Sequence, residues 1–300
     1  MSWKIVKIET AGKLSFDNNR IRFDQRETGK VFFFPTDDLS VLVIESLQIS
    51  VTTALVAALA EKAVSVVFCN GNHRPAGVLF PVGKPLRQSE ISFLQTEISK
   101  PLKKRMWQKI IRQKIINQSV VLKTVRSDNA SLLQKMAEKV LSGDTENTEA
   151  AAARLYWESL FGKNFVRHDE DGVNAALDYG YAIFRNVLIN HIVAHGLIAT
   201  LGVHHHSVLN NFNLADDLFE PYRAFTDQAV FKITPLPDDR LTKTTRENLI
   251  ALLQKKCRVN GQTTSLMNAV EQTVCSFVTA IRENDSDELL LPEFVDDDGR

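Results

Sequence analysis

"FPVGKPLRQ", residues 80–88, divides the chain into two unlike halves. Two prolines and a glycine within nine positions break regular structure and read as a linker. Before it, apolar residues come in short β-branched and aromatic runs: "RIRF" (20–23), "VFFF" (31–34), "VLVIE" (41–45) and "VSVVFC" (64–69). The first alternates with the period of a half-buried strand, and the others are bounded by turn formers. One Ala/Leu-rich segment, "SVTTALVAALAEKA" (50–63), predicts a helix with Ser50 as its N-cap. After the linker the period changes. From "ISFLQTEISKPLKKRMWQKIIRQKIINQSVVLKTV" onward apolar residues recur every three or four positions, with Pro101 the main interruption. Further helices are expected over 129–141, 146–161, 173–201, about 214–230, 243–256 and 263–282. The expected fold class is therefore α+β in two domains: a β-rich domain over 1–82, a linker over 83–92 and an all-α domain over 93–284. The acidic stretch 285–300 holds too few apolar residues to pack by itself and is expected to be a mobile tail.

Composition narrows the class. Of the 300 residues, 44% are hydrophobic and 24% charged, the proportions of a water-exposed globular protein. No apolar run reaches the ~18 residues of a membrane span, and the start "MSWKIVKIET" has no apolar core of a signal peptide. The three scattered cysteines, Cys69, Cys257 and Cys275, form no redox or metal-type pair, so a reducing cytoplasm is the expected location. The zero net charge is a cancellation. Lys84 to Arg126 carries 11 Lys/Arg against two Glu, whereas Glu283 to Arg300 carries eight Asp/Glu against one Arg. The basic stretch can attract phosphates even on a neutral protein, or it can be a solvated helix face.

The chemistry concentrates in "GVHHHSVLNNFNLADDLFEPYR" (202–223). The apolar segment before it is read as a helix ending at Gly202, so the histidines lie at a helix mouth. Adjacent residues point apart, so only one or two of His204, His205 and His206 could share a ligand sphere. With no cysteine near, a structural zinc is disfavoured. Downstream, Asp217 and Glu220 lie three positions apart, and Asp216 and Glu220 four. Either pair could share a helical face, where like charges repel unless a cation neutralises them. One histidine with two or three carboxylates suits Mg²⁺ or Mn²⁺. An exposed acidic turn paired with Arg223 is the competing reading. A third carboxylate must come from elsewhere. Glu149 is the candidate, in the first turn of "NTEAAAARLYWESLFG" (147–162), a helix that Thr148 could cap.

Four stretches taken in order resemble the CRISPR-associated integrase–endonuclease of the spacer-adaptation machinery, the Cas-one family, and its type II members most. They are the strand-rich start, "TEAAAARLYWESLFG", "DGVNAALDYGYAIFRNVL" (171–188) and "LGVHHHSVLNNFNLADDLFEPYR". The resemblance implies metal ligation by Glu149, His205 and Glu220, with Asp217 as a further candidate, and no ligand role for His204 or His206. It implies Mg²⁺ or Mn²⁺, and an N-terminal domain through which the chain forms a homodimer. It implies double-stranded DNA with 3′-hydroxyl ends joined into CRISPR repeat DNA. It also implies a small ferredoxin-like second adaptation protein in a four-plus-two complex, and an RNA-guided effector nuclease as a further partner. On this reading Lys103, Lys104, Arg105, Lys109, Arg112, Arg154 and Arg223 are candidates for phosphate contact, and Tyr156 and Trp157 for core packing or base stacking. The family pattern often has proline where Ala224 stands here. A metal-dependent repair nuclease without integration, and a non-catalytic helical DNA-binding scaffold, are the alternatives.

Overall fold

The computed structural model describes residues 4–81, 83, 87–236 and 240–295. The first part is built from eight strands and one helix: β1 (Lys4–Ile8), β2 (Gly12–Asp17), β3 (Arg20–Gln25), β4 (Val31–Pro35), β5 (Leu39–Ile44), β6 (Ile49–Val51), α1 (Thr53–Glu61), β7 (Ser65–Cys69) and β8 (Pro75–Val78). They form two four-stranded sheets, in the orders β1-β5-β7-β8 and β4-β3-β2-β6. In the first sheet β1, β5 and β7 are parallel and β8 is antiparallel to β7.

The two kinds of apolar pattern have different causes. In β3, Ile21 and Phe23 point inward between polar neighbours, because one face of that sheet meets water. Strands β5 and β7 are covered on both sides. Leu42, Ile44 and Val66 pack with Leu14, Ile21 and the α1 residues Leu55 and Leu59. Val41, Val43 and Val67 face the other way and join the core of the helical part. Continuous runs rather than alternation follow from that double burial. Tyr179 and Arg246 of the helical part also reach the buried Glu45, at 2.8 and 3.2 Å. Ser50 does not cap α1: it lies in β6, and Thr52 precedes the helix.

The helical part comprises α2 (Gln88–Thr96), α3 (Lys100–Thr124), α4 (Asn129–Lys139), α5 (Thr148–Phe161), α6 (Gly172–Ala194), α7 (Asn213–Phe219), α8 (Arg223–Lys232), α9 (Lys243–Ala251) and α10 (Leu266–Glu283). Helix α2 begins inside the expected linker, of which 84–86 lie outside the described residues. Pro101 does not interrupt α3. It occupies the first turn, where its missing N–H costs nothing, and Ser99 caps the helix through Leu102 N. A short hairpin, β9 (Lys256–Val259) and β10 (Gln262–Ser265), replaces the expected helical ends at 243–256 and 263–282.

Two further expectations are overturned. The helix expected to reach 201 ends at Ala194, where Gly196 adopts a positive φ, and 195–212 form the loop that carries the histidines. The acidic stretch is not a mobile tail as far as residue 295. Leu289 and Leu291 are buried, the Phe294 ring stacks on Phe225 at 4.0 Å, and Pro292 O accepts from the buried Asn117 amide. Few apolar residues sufficed because they dock on an existing core instead of forming one. Residues 296–300 lie outside the described residues.

Candidate functional site

Three segments distant in sequence meet beside the middle of α3. Helix α5 supplies Glu149 from its first turn. Its N-terminus is not capped by Thr148. The Asp144 carboxylate accepts from Thr148 N and Glu149 N at 2.9 and 3.0 Å, satisfying two of the orphan donors of that helix end. The α7–α8 junction supplies Glu220. Pro221 follows it, and residues 220–222 form a single 3₁₀ turn between the two helices. This break redirects the Glu220 side chain inward, where it is 4% exposed.

The loop before α7 supplies His205, and Asp217 shapes that loop. Asp217 is wholly buried. Its Oδ2 accepts from Val203 N and His204 N at 2.5 and 2.9 Å, and its Oδ1 from His205 N at 3.1 Å and the His205 ring at 2.6 Å. A carboxylate only accepts, so His205 Nδ1 carries a proton, and in the neutral ring Nε2 keeps its lone pair. The hydrogen bond that its ring donates to Asp217 also raises the His205 pKa against the opposing effect of burial. Both Asp217 oxygens are thus committed to the loop. The expectation of Asp217 as an additional ligand gives way to a role in orienting His205. Gly202 allows this approach, since a Cβ there would lie 2.3 Å from His205 O and 2.6 Å from Asp217 Oδ2. His204 stacks on the buried Trp107 ring at 4.2 Å, and His206 is exposed, its ring bonded to His204 O.

The repulsion expected between Asp217 and Glu220 is removed separately at each. Glu220 lies 2.6 Å from Lys114 Nζ and 3.0 Å from Arg223 Nε. Burial pushes its carboxyl up, but Arg223 and Lys114 outweigh that and hold it at about 2. Lys114 Nζ is also 2.5 Å from Glu149 Oε1. Sequence reasoning missed Lys114. The available signal was a lysine on the apolar face of α3, one helical turn past the buried Ile110 and Ile111. Asp216, the other partner weighed for Glu220, instead makes a two-pronged ion pair with Arg185, at 2.5 and 2.9 Å.

Among the described residues no group of three His, Cys, Asp or Glu side chains is gathered in a metal-holding arrangement as it stands. The ammonium of Lys114 lies between the two glutamates. The donor chemistry nevertheless fits a hard divalent cation. Two carboxylates converge on one positive charge, and a nearby imidazole has its Nδ1 committed and its Nε2 lone pair available.

A tyrosine-rich wall backs the site. In "NAALDYGY", Asn174 bonds the loop at Val166 and His168, Leu177 enters the core, and Tyr179 bonds Glu45. Gly180 lets α8 approach, because a Cβ there would meet Thr226 Cγ2 at 2.5 Å. Tyr181 and Tyr156 both donate to the buried Asp227. Burial raises the Asp227 pKa to about 7 even though the two tyrosines oppose it. Tyr156 is therefore core, and Trp157 packs on Phe161 and Phe165.

The basic candidates scatter. Lys104, Arg105 and Arg112 are exposed on α3, Lys103 is half-buried, and Arg154 is exposed on α5. Lys109 leaves the set, since its ammonium donates to the carbonyls of Ser286 and Asp287 at 3.2 and 2.8 Å. Arg223 is paired with Glu220, its guanidinium 4.9 Å from the Tyr181 ring centroid.

The chain matches a family model described as CRISPR associated protein Cas1 over residues 6–258. It is 37% identical over 298 residues to a CRISPR-associated endonuclease Cas1 from Neisseria meningitidis serogroup C (strain 8013), covering 98% of this chain and 97% of that one. Among solved structures it resembles a casposase bound to integration product, with a TM-score of 0.78 at 18% identity over 94% of this chain and 92% of that chain. It also resembles a chain of a Cas6-RT-Cas1–Cas2 complex, with a TM-score of 0.72 at 18% identity over 95% of this chain and 36% of that chain.

Proposed function

The chain belongs to the CRISPR associated protein Cas1 family, and on that premise we propose that it is a metal-dependent DNA integrase and endonuclease that inserts new spacer DNA into a CRISPR array. The observation that carries the reading is the convergence of Glu149 and Glu220 on one positive charge, beside an imidazole oriented by a buried carboxylate. Glu149, His205 and Glu220 would hold Mg²⁺ or Mn²⁺. When bound, such a cation polarises the phosphoryl group and neutralises charge on the entering and leaving oxygens. Asp217 keeps the His205 Nε2 lone pair available, and Arg223 fixes Glu220 from the side facing Tyr181.

The reaction is a transesterification. The 3′-hydroxyl of the incoming DNA forms a new phosphodiester at the repeat boundary, and the 3′-hydroxyl of the cut strand leaves. Water in place of the DNA hydroxyl gives endonuclease activity. Lys103, Lys104, Arg105, Arg112 and Arg154 are the basic side chains proposed to lie along the DNA backbone. Val31, Phe32 and Phe33 on edge strand β4, each between 40 and 43% exposed, support dimerisation through the N-terminal sheets. The proposed assembly partner is the small ferredoxin-like second adaptation protein, two homodimers flanking one partner dimer, with an effector nuclease of a type II system selecting the DNA. The proposed location is the cytoplasm. No helix among the described residues is long and apolar enough to cross a membrane.

The test is joining of a 3′-hydroxyl DNA duplex into a supercoiled repeat-bearing plasmid, with and without the partner. Glu149→Ala, His205→Ala and Glu220→Ala are each expected to lose roughly 10²-fold or more in rate. If all three join DNA as well as the unaltered protein, the site assignment is wrong.

A further inference from the structure

The lysine between the two glutamates has no part in the reaction described. Its side chain is 9% exposed, and a lysine buried to that extent is rarely left unpaired. Here one ammonium joins residues from two other elements, at 2.5 Å from Glu149 and 2.6 Å from Glu220. Arg223 bonds Glu220 from another side, which leaves the bridging to Lys114. Two carboxylates drawn together without a shared cation would repel and separate.

A divalent cation bound to these same oxygens would sit at about 2.0–2.2 Å from them. That position nearly coincides with the ammonium, so the two cannot both stay. Lysine has a flexible four-carbon stem and can move its charge. The structure supplies a destination. Gln118 lies one turn further along α3, is 2% exposed, and its Oε1 is buried without a hydrogen-bond partner. Lys114, Gln118, Glu149 and Glu220 line one open cleft of about 240 Å³. An orphaned acceptor beside a displaceable donor is the arrangement expected of a side chain with two resting places.

We propose that Lys114 is an internal counter-ion that holds Glu149 and Glu220 converged in the metal-free protein and swings toward Gln118 Oε1 when a divalent cation takes its place. Lys114 is thus a positioning residue. It preforms the carboxylate pair, and it weakens metal binding because its two ion pairs must be broken first. The inference rests on Glu149 and Glu220 being the metal ligands.

The experiment measures Mn²⁺ affinity of the full chain by the electron paramagnetic resonance signal of free Mn²⁺, together with Tm in the absence and presence of Mn²⁺. Lys114→Met is expected to bind Mn²⁺ about tenfold more tightly or better, with a lower metal-free Tm that Mn²⁺ restores. Lys114→Arg, which keeps the charge, and Arg154→Ala, which removes an exposed cation on α5, are each expected to change affinity less than about threefold. Gln118→Leu removes the second resting place and is expected to weaken Mn²⁺ binding several-fold. Glu149→Gln tests the premise, and its expected result is a large loss of Mn²⁺ affinity. A folded Lys114→Met protein with unchanged or weaker affinity, beside a strongly weakened Glu149→Gln, overturns the counter-ion role and leaves the site reading intact. Should Lys114→Met not fold, unchanged affinity in Gln118→Leu overturns it instead. A Glu149→Gln protein that binds Mn²⁺ like the unaltered one overturns the site reading itself.

Discussion

Replacing Asp217 by asparagine keeps the size of the side chain and changes only what its atoms can do. The carboxylate now accepts four hydrogen bonds, three from backbone N–H groups and one from the His205 ring. An amide has one acceptor oxygen, and its nitrogen can only donate. Whichever way the amide faces, at least two of the four donors meet an N–H group. Hydrogen bonds to a charged acceptor contribute about 1.5–3 kcal/mol each. Two lost bonds therefore cost roughly 3–6 kcal/mol, and a shift of the loop would leave the lower end of that range. A domain with ~5–15 kcal/mol of stability remains folded after such a loss, but with its histidine loop released. The assay is urea unfolding of both proteins at neutral pH, compared at equal m-value, together with Mn²⁺ binding. We expect ΔG of unfolding to fall by about 3 kcal/mol or more and Mn²⁺ affinity to fall ~10- to 100-fold, the usual cost of removing the partner that orients a ligating imidazole. A loss below about 1 kcal/mol with unchanged Mn²⁺ binding would refute the argument that Asp217 builds the loop and sets the His205 tautomer.

Three further outcomes follow from particular contacts. Gly202→Ala places a Cβ against His205 O and the Asp217 carboxylate, so it should destabilise by about 2–4 kcal/mol and weaken Mn²⁺ binding, as thermal unfolding and metal titration would show. Asp227 keeps its proton in the folded state up to about pH 7, whereas the unfolded carboxyl loses it near its ordinary value of 3.8. Unfolding is therefore increasingly favoured between those two values, and stability should decline with rising pH at up to about 1.4 kcal/mol per unit, then level off. Asp227→Asn should remove that slope, and identical pH profiles for the two proteins would contradict the buried neutral acid. Deleting residues 286–300 removes the burial of Leu289 and Leu291 and the stacking of Phe294. It should cost about 4.5–9 kcal/mol for three large side chains at ~1.5–3 kcal/mol each, and an unchanged Tm would show that the segment is dispensable.

The sequence alone determined what depends on local period and residue chemistry. Short β-branched runs before the linker and three- and four-residue spacing after it were enough for an α+β chain in two parts, because each pattern matches one repeat of the backbone. The residue types of Glu149 and "HHHSVLNNFNLADDLFEP" made an oxygen- and imidazole-bound cation one reading, beside an exposed acidic turn paired with Arg223, and only the resemblance to a known family singled out Glu149, His205 and Glu220. Tertiary structure decided what depends on neighbours remote in sequence. Asp216 and Asp217 are adjacent acids, yet one is taken by Arg185 and the other by a ring of backbone N–H groups. Lys109 and Lys114 belong to one basic stretch, yet the first is tied to the chain's end and the second lies between the two glutamates. The segment after 285 could not have been predicted to pack, since its few apolar residues find their partners on α3, α8 and α10 and not beside themselves. Periodicity reports which face of an element is apolar. Which charge meets which is fixed only when the faces close, since the buried Lys114 ion pairs depend on distances of 2.5 and 2.6 Å between side chains tens of residues apart.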